Sequence, residues 1–202
     1  MQAYKILENL IPQSMAESIE RTMLHTLFAY NPSTISDLDW DQNDSNVKPT
    51  HQFIHPVLHT DGTPEDNLFE AVGLPILWFL EQKTGIKFLD VNRIKINLLT
   101  PNNTTEDNYA PPHYDVPDPG WVSMVYYIND SDGDTKIFDK YVAQRNTDLK
   151  VIGTSTPKAG NAVIFDSNRW HSSSNPIKFP NRYVINFVFK PEMESYWSFM
   201  NE

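Results

Sequence analysis

The chain has no cysteine among its 202 residues. That excludes disulfides, zinc–thiolate sites, iron–sulfur clusters and a cysteine nucleophile together. Long apolar runs are missing too. The longest, GLPILWFL at 73–80, falls far short of the ~20 residues a membrane-spanning helix needs, so no membrane partner is expected. The opening MQAYKILENLIPQ holds neither a basic segment nor a long apolar one. No signal peptide is therefore expected, and a cytoplasmic protein is. Positive charge is scarce: 16 Lys and Arg stand against 26 Asp and Glu, a net charge of −10, and Lys and Arg do not cluster. Such a chain has no general attraction for a phosphate backbone, which argues against a nucleic-acid substrate. The serines at 172–174 have no base nearby in sequence, which argues against nucleophilic catalysis.

What is present fits a strand-and-loop fold. Aromatic residues make up 12% of the chain and there are 15 prolines. YKILENL near the start has the makings of a short strand. Met15, Ile19, Met23 and Leu27 recur every four residues, which predicts an amphipathic helix over 12–29, opened by Pro12. Residues 31–50 are polar and acidic and read as a loop. A second helix is predicted over 65–84, kinked or restarted by Pro75 and closed by Gly85. From residue 86 the period drops to two: Ile94, Ile96 and Leu98 alternate with Lys95 and Asn97. A polar loop at 100–112 has the length of a functional lid. Strands are predicted at 121–129, 135–138, 161–165 and 182–189, while 51–62 and 139–156 read ambiguously. Helices first and about eight short strands after them predict an α+β domain with a mainly β core. The sheets form a β-sandwich or jelly roll, buttressed on one face by the N-terminal helices. No repeat or boundary divides the chain. A single domain over 1–202 is expected, with helical support at 1–90, the core at 91–190 and a tail at 191–202.

The most informative residues are His113-Tyr114-Asp115, followed by His171 and then Arg182. Two imidazoles and one carboxylate are the ligands of a facial triad, which leaves open positions on Fe(II). An arginine just past the last ligand suits a co-substrate bearing a carboxylate. The pattern reads as a non-haem iron oxygenase that uses 2-oxoglutarate. His-x-Asp alone is weak evidence. With 6 His and 16 Asp, about half a match is expected by chance, and His59-Thr60-Asp61 is a second one. Context separates them. The first precedes a helical pattern, whereas the second precedes WVSMVYYIN, a strand rigid enough to hold ligands. His59 is expected to be a surface or packing histidine.

The stretch from about 93 to 190 resembles the double-stranded β-helix of the 2-oxoglutarate/Fe(II) dioxygenases, most closely the prolyl-hydroxylase branch. The resemblance is carried by HYD at 113–115, WVSMVYYIN, GDTKIF at 133–138, PKAGNAVIFD before His171, and RYVINFVF from 182, in that order. It implies that His113, Asp115 and His171 bind Fe(II), that 2-oxoglutarate and O₂ are co-substrates, and that Arg182 and Tyr127 bind the distal carboxylate of 2-oxoglutarate. Thr135 and Asn186 fall at inward positions near that co-substrate. Strand alternation puts Ser123, Val125 and Tyr127 on the pocket face and Met124, Tyr126 and Ile128 on the other. Trp121, Tyr109, Asn97 and Thr100 are further candidates for the pocket wall. The chain departs from the family where Gly133-Asp134 stands in place of a frequent pair of glycines. Such a core implies hydroxylation of a peptidyl residue or a small molecule, a wide cleft favouring the former and a closed cavity the latter. Two other readings stay open: a non-catalytic metal-binding jelly-roll module, and a nucleic-acid demethylase, which would need a basic groove.

Overall fold

A computed structural model describes residues 2–31, 44–48, 50–143 and 148–201. Most of the acidic segment expected as a loop lies outside the described residues, as do 144–147. Ten strands and three helices run in the order β1 (Tyr4–Leu7), α1 (Gln13–Met23), β2 (Ala29–Asn31), β3 (Gln52–Leu58), α2 (Leu74–Thr84), β4 (Phe88–Leu99), β5 (Val122–Tyr127), β6 (Thr135–Tyr141), β7 (Val151–Ser155), β8 (Ala162–Asp166), β9 (Arg169–Ser173), β10 (Arg182–Pro191) and α3 (Met193–Asn201). Seven strands form one antiparallel sheet in the order β1-β8-β5-β10-β4-β3-β2, and three form a smaller one, β7-β6-β9. This is the mainly β jelly roll expected, with few helices. No helix among the described residues is long and apolar enough to cross a membrane.

Period-two alternation builds the two faces of the larger sheet. On β5, Met124 and Tyr126 point to the helices and share one core with Ala16, Ile19 and Met23 of α1, Ile76 and Leu80 of α2, and Tyr196 and Met200 of α3. On the same strand Val125 and Tyr127 point between the sheets and pack with Ile137, Val163, Phe165 and Val184. Burying side chains on both faces makes β5 wholly buried and keeps it rigid. The helices thus occupy the outer face, and the inner face is free to build a site under the small sheet.

Three local expectations change. The first helix stops at Met23 rather than 29. Ala29–Asn31 is drawn into the sheet by pairing with β3, and Phe28 packs against Tyr183 with ring centroids 5.8 Å apart. Leu27, which the periodicity placed on the buried stripe, is exposed. The second helix begins later, with a π turn at Phe69–Gly73 running into α2. Pro75 in the first turn of α2 has no N–H to give the ladder and crowds the preceding turn, which widens it. Gly85 ends α2 as predicted, with φ 71°, a left-handed conformation that suits glycine. Finally, β3 was not legible. Its Pro56 interrupts the pattern and sits at a register shift against β4, beyond the short reach of β2. There a missing N–H costs no ladder bond.

Candidate metal centre and active-site cavity

The segment before β5 runs against β9, where Ala110 N–H donates to Ser173 O and His113 is directly opposed to His171. His113 N–H donates to the His171 carbonyl at 2.9 Å, and His171 N–H donates to that of His113 at 2.8 Å. Directly opposed residues of such a pair project side chains to the same face. The two imidazoles therefore lie side by side, with ring centroids 4.3 Å apart. Two residues on, Asp115 N–H donates to Ser167 O at 2.9 Å, which returns Asp115 to that face. One ligand atom from each of His113, Asp115 and His171 lies within 4.8 Å of the others. His171 sits inside β9, not at a strand edge.

The charge states suit a cation. His171 Nδ1 lies 3.0 Å from the Arg169 carbonyl, which can only accept, so Nδ1 carries a proton and Nε2 is the nitrogen turned toward Asp115. That Nε2 is 3.6 Å from Asp115 Oδ2. Burial, and then the neighbouring His171, push the His113 imidazole down to about 3, so it is neutral at pH 7. Burial pushes Asp115 the other way, but His171 and Arg93 outweigh it and hold the carboxyl well below its ordinary range. Arg93 Nη2 donates to Asp115 Oδ1 at 2.8 Å, and Ser123 Oγ donates to Oδ2 at 2.6 Å. Ser123 Oγ is itself 2.8 Å from Ser167 Oγ. The carboxylate is clamped at both oxygens and cannot swing away. A divalent ion fits this donor set.

A cavity of about 240 Å³ opens over the three residues and runs between the sheets. Arg182 lines it, 2% exposed, at the start of β10. Its Nε donates to Gly133 O at 2.6 Å and its Nη2 to Thr135 Oγ1 at 2.8 Å. Its Nη1 has no hydrogen-bond partner among the described residues. A buried guanidinium that makes no ion pair among the described residues is costly; burial lowers its proton affinity, against the attraction of Tyr127 and Asp134. The cavity lets an incoming carboxylate supply the missing partner. The turn before β6 allows the approach: a Cβ at Gly133 would lie 2.5 Å from Ser174 O and 2.8 Å from Arg182 Cδ. Asp134, where the family often has glycine, accepts a hydrogen bond from Thr156 Oγ1 at 2.8 Å instead.

The other expected residues separate. Thr135 and Asn186 line the cavity, as does Asn97. Tyr127 is fully buried, one layer behind the wall. Its hydroxyl lies 3.0 Å from Thr135 Oγ1 and 3.2 Å from Ser155 O, so Thr135 links Tyr127 to Arg182. Burial raises the Tyr127 phenol, and it stays protonated. Tyr109 packs in another cluster with Phe138 and Trp170. Its main chain bonds Asn46 and Lys48, and its hydroxyl donates to Asp44 Oδ2. The end of the 100–112 loop is thereby pinned. Trp121 and Thr100 do not line the cavity. The sequence reading missed two cations there, Arg93 and Lys95. Their signal was present, since alternation in RIKINLL puts Arg93, Lys95 and Asn97 on one face and the fully buried Ile94 and Ile96 on the other. Which face would meet Asp115 was not in the pattern.

Residues 99–190 match the family model described as the 2OG-Fe(II) oxygenase superfamily. No curated protein matches the chain in sequence. Among solved structures, the chain is similar to a prolyl-4-hydroxylase of Pseudomonas putida, with 16% identity over 94% of each chain and a TM-score of 0.56. It is also similar to a prolyl hydroxylase of Trichoplax adhaerens solved with a hypoxia-inducible-factor peptide fragment, with 14% identity over 97% of this chain and 87% of that one, TM-score 0.57. A third is HygX of Streptomyces hygroscopicus with nickel and 2-oxoglutarate bound, with 8% identity over 94% and 83%, TM-score 0.59. At these identities the structures speak for a common fold.

Proposed function

We propose, from the match of residues 99–190 to the 2OG-Fe(II) oxygenase family model and from the geometry above, that this chain is an oxygenase using Fe(II), 2-oxoglutarate and O₂, a hydroxylase whose metal is held by His113, Asp115 and His171. Its substrate is a peptidyl residue or a small molecule. The observation that carries the assignment is the mutual approach of the three ligand atoms, all within 4.8 Å of one another. When bound, Fe(II) and 2-oxoglutarate supply O₂ activation, with decarboxylation of the co-substrate to succinate and CO₂ and hydroxylation of the substrate.

The chain's own residues bind and orient. Arg93 and Ser123 fix the Asp115 carboxylate, and the Arg169 carbonyl fixes the His171 tautomer. Arg182 takes the distal carboxylate of 2-oxoglutarate through its uncommitted Nη1. Thr135 and Tyr127 hold the guanidinium in place from behind, and Asn186 lies on the wall nearby. Fixing both ends of the co-substrate turns a diffusive encounter into an oriented one. The buried walls at Val125 and Val184 keep bulk water out.

The test is anaerobic addition of Fe(II) and then 2-oxoglutarate to metal-free protein, watching for the visible charge-transfer band of the chelate. The band is expected in the wild type and lost in His171→Ala. In Arg182→Ala the 2-oxoglutarate half-saturation should rise about 10- to 100-fold, the worth of a hydrogen bond to a charged group at ~1.5–3 kcal/mol. Absence of the band in folded wild-type protein would overturn the assignment in favour of a non-catalytic module.

A further inference from the structure

Lys95 is not used by any step above. It lies on β4 with its side chain on the cavity wall, between Arg93 and Asn97 on the same face. Its lateral neighbours in the sheet are Pro56 on β3 and Asn186 on β10, and neither is acidic. It forms no hydrogen bond and no ion pair among the described residues. Burial, and then repulsion from Arg93, outweigh the attraction of the more distant Asp115 carboxylate and push the ammonium down to about 8. Lys95 is half-buried, and a charge drawn partly out of water without a partner in contact is costly.

The charge of the whole cavity says what is missing. Among the described residues its wall carries three cations, Arg93, Lys95 and Arg182, against one carboxylate, Asp115, with two imidazoles. A divalent metal and a dianionic co-substrate cancel each other, so the loaded site keeps an excess of two positive charges. This occurs in a chain whose net charge is −10. A cationic cleft in an acidic protein is a local feature, and low-dielectric walls focus its field. Arg93 is paired with Asp115 and Arg182 faces the co-substrate. Lys95 and Arg182 are four rungs apart along the β4–β10 pair, about 13 Å of strand, so they face different groups. The cavity volume, about 240 Å³ for both reactants, is below the ~300–1,000 Å³ of sites for drug-sized ligands.

Resting on the oxygenase reading, we propose that the substrate is a small anion, a metabolite-sized molecule bearing a carboxylate or phosphate group, and that Lys95 is the residue that selects it. The substrate's anionic group pairs with the Lys95 ammonium beside the metal centre, and its reacting C–H is thereby held near the metal.

The experiment uses the full chain loaded with Zn(II) and 2-oxoglutarate for binding and with Fe(II) for turnover. The probes are amino acids, hydroxy acids, dicarboxylic acids and phosphate monoesters, each beside its neutral amide or alcohol, together with peptides lacking a free carboxylate. Binding is read as a thermal shift and turnover as succinate release. At least one acid or phosphate ester should bind and stimulate turnover, with its neutral counterpart at least tenfold weaker. The two probe groups identify which anion serves. Lys95→Gln should erase that preference, raising the KM of the anion at least tenfold, and Lys95→Arg should restore most of it. The charge-transfer titration with 2-oxoglutarate should shift less than twofold in either variant. Equal response to neutral compounds or to the peptides would overturn the proposal, as would silence from every anion. A tenfold rise in 2-oxoglutarate half-saturation in Lys95→Gln would also overturn it, because Lys95 would then belong to the co-substrate. A missing band in the wild type would instead strike the oxygenase reading itself.

Discussion

The chain contains the same three-residue pattern twice, and the two copies have opposite surroundings. His59 and Asp61 lie at an exposed turn. His59 Nε2 meets Glu65 Oε2 at 2.7 Å, and Asp61 Oδ1 accepts from Thr63 N–H at 3.0 Å and Thr63 Oγ at 2.6 Å. Those hydrogen bonds lower the Asp61 carboxyl and account for it as a turn residue. His113 and Asp115 have the same spacing, but a second histidine from β9 stands beside them and an arginine from β4 clamps the carboxylate. The difference teaches that His-x-Asp carries no chemistry of its own. What counts is a third donor delivered across the fold, burial that keeps the His113 imidazole neutral, and a second layer that stops the carboxylate moving.

The comparison can be broken or sharpened by experiment. The largest effect is expected from His113→Ala or Asp115→Ala, which should abolish Fe(II) binding and 2-oxoglutarate decarboxylation. Robust succinate release by either folded variant would put the two copies on an equal footing. Arg93→Met should weaken Fe(II) binding about 10- to 100-fold, the usual cost of losing a residue that orients a metal ligand. A metal titration with unchanged affinity would show that the clamp on Asp115 is only packing.

Acidity offers a gentler test. In metal-free protein His113 is depressed to about 3 by burial and His171, whereas unfolded histidine titrates near ~6.5. Between those values the unfolded chain binds more protons, so stability rises with pH across that window. Acidification from about 6.5 toward 3 should therefore lower the Tm progressively, and the Tm should vary little above that range on this account. The lowered carboxyl of Asp115 adds to the loss only below about 4. His113→Gln should flatten the dependence between 4 and 6.5; an unaltered profile would show that another group governs it. The smallest effect is expected from His59→Ala. Its ion pair is half exposed, and such changes are worth about 0.5 kcal/mol or less. Iron affinity should stay within about twofold, measured by the same titration.

Much of the core was legible because its strands are two-sided. The alternation in WVSMVYYIN and RYVINFVF assigns every residue to a face, and the helix-side core and inter-sheet cluster follow those assignments residue by residue. β2 and β3 were not legible, because a three-residue strand has no period and a proline at a bulge breaks the one β3 has. β9 was hidden for another reason. RWHSS is short and polar for a strand, and its place is fixed by pairing with β6 and by the opposition of His171 to His113. At the site, the order His113, Asp115, His171, Arg182 was readable, and so was the turn at Gly133. The positions of Arg93 and Lys95 were readable only as a face of a strand.

The sequence by itself determined the chemistry on offer: no thiols, two histidines and a carboxylate at suggestive spacing, an arginine beyond them, and strands whose alternation left polar residues facing inward. Those properties are local, set by residue type and by the two-residue period of the backbone. Tertiary structure alone decided which polar residues meet. It set Tyr127 behind Thr135 instead of in the cavity, put Arg93 on Asp115, and left Lys95 on the wall with no ion-pair partner among the described residues. Contacts of this kind depend on the register and curvature of strands far apart in the chain. Both are fixed only when the two sheets close over each other.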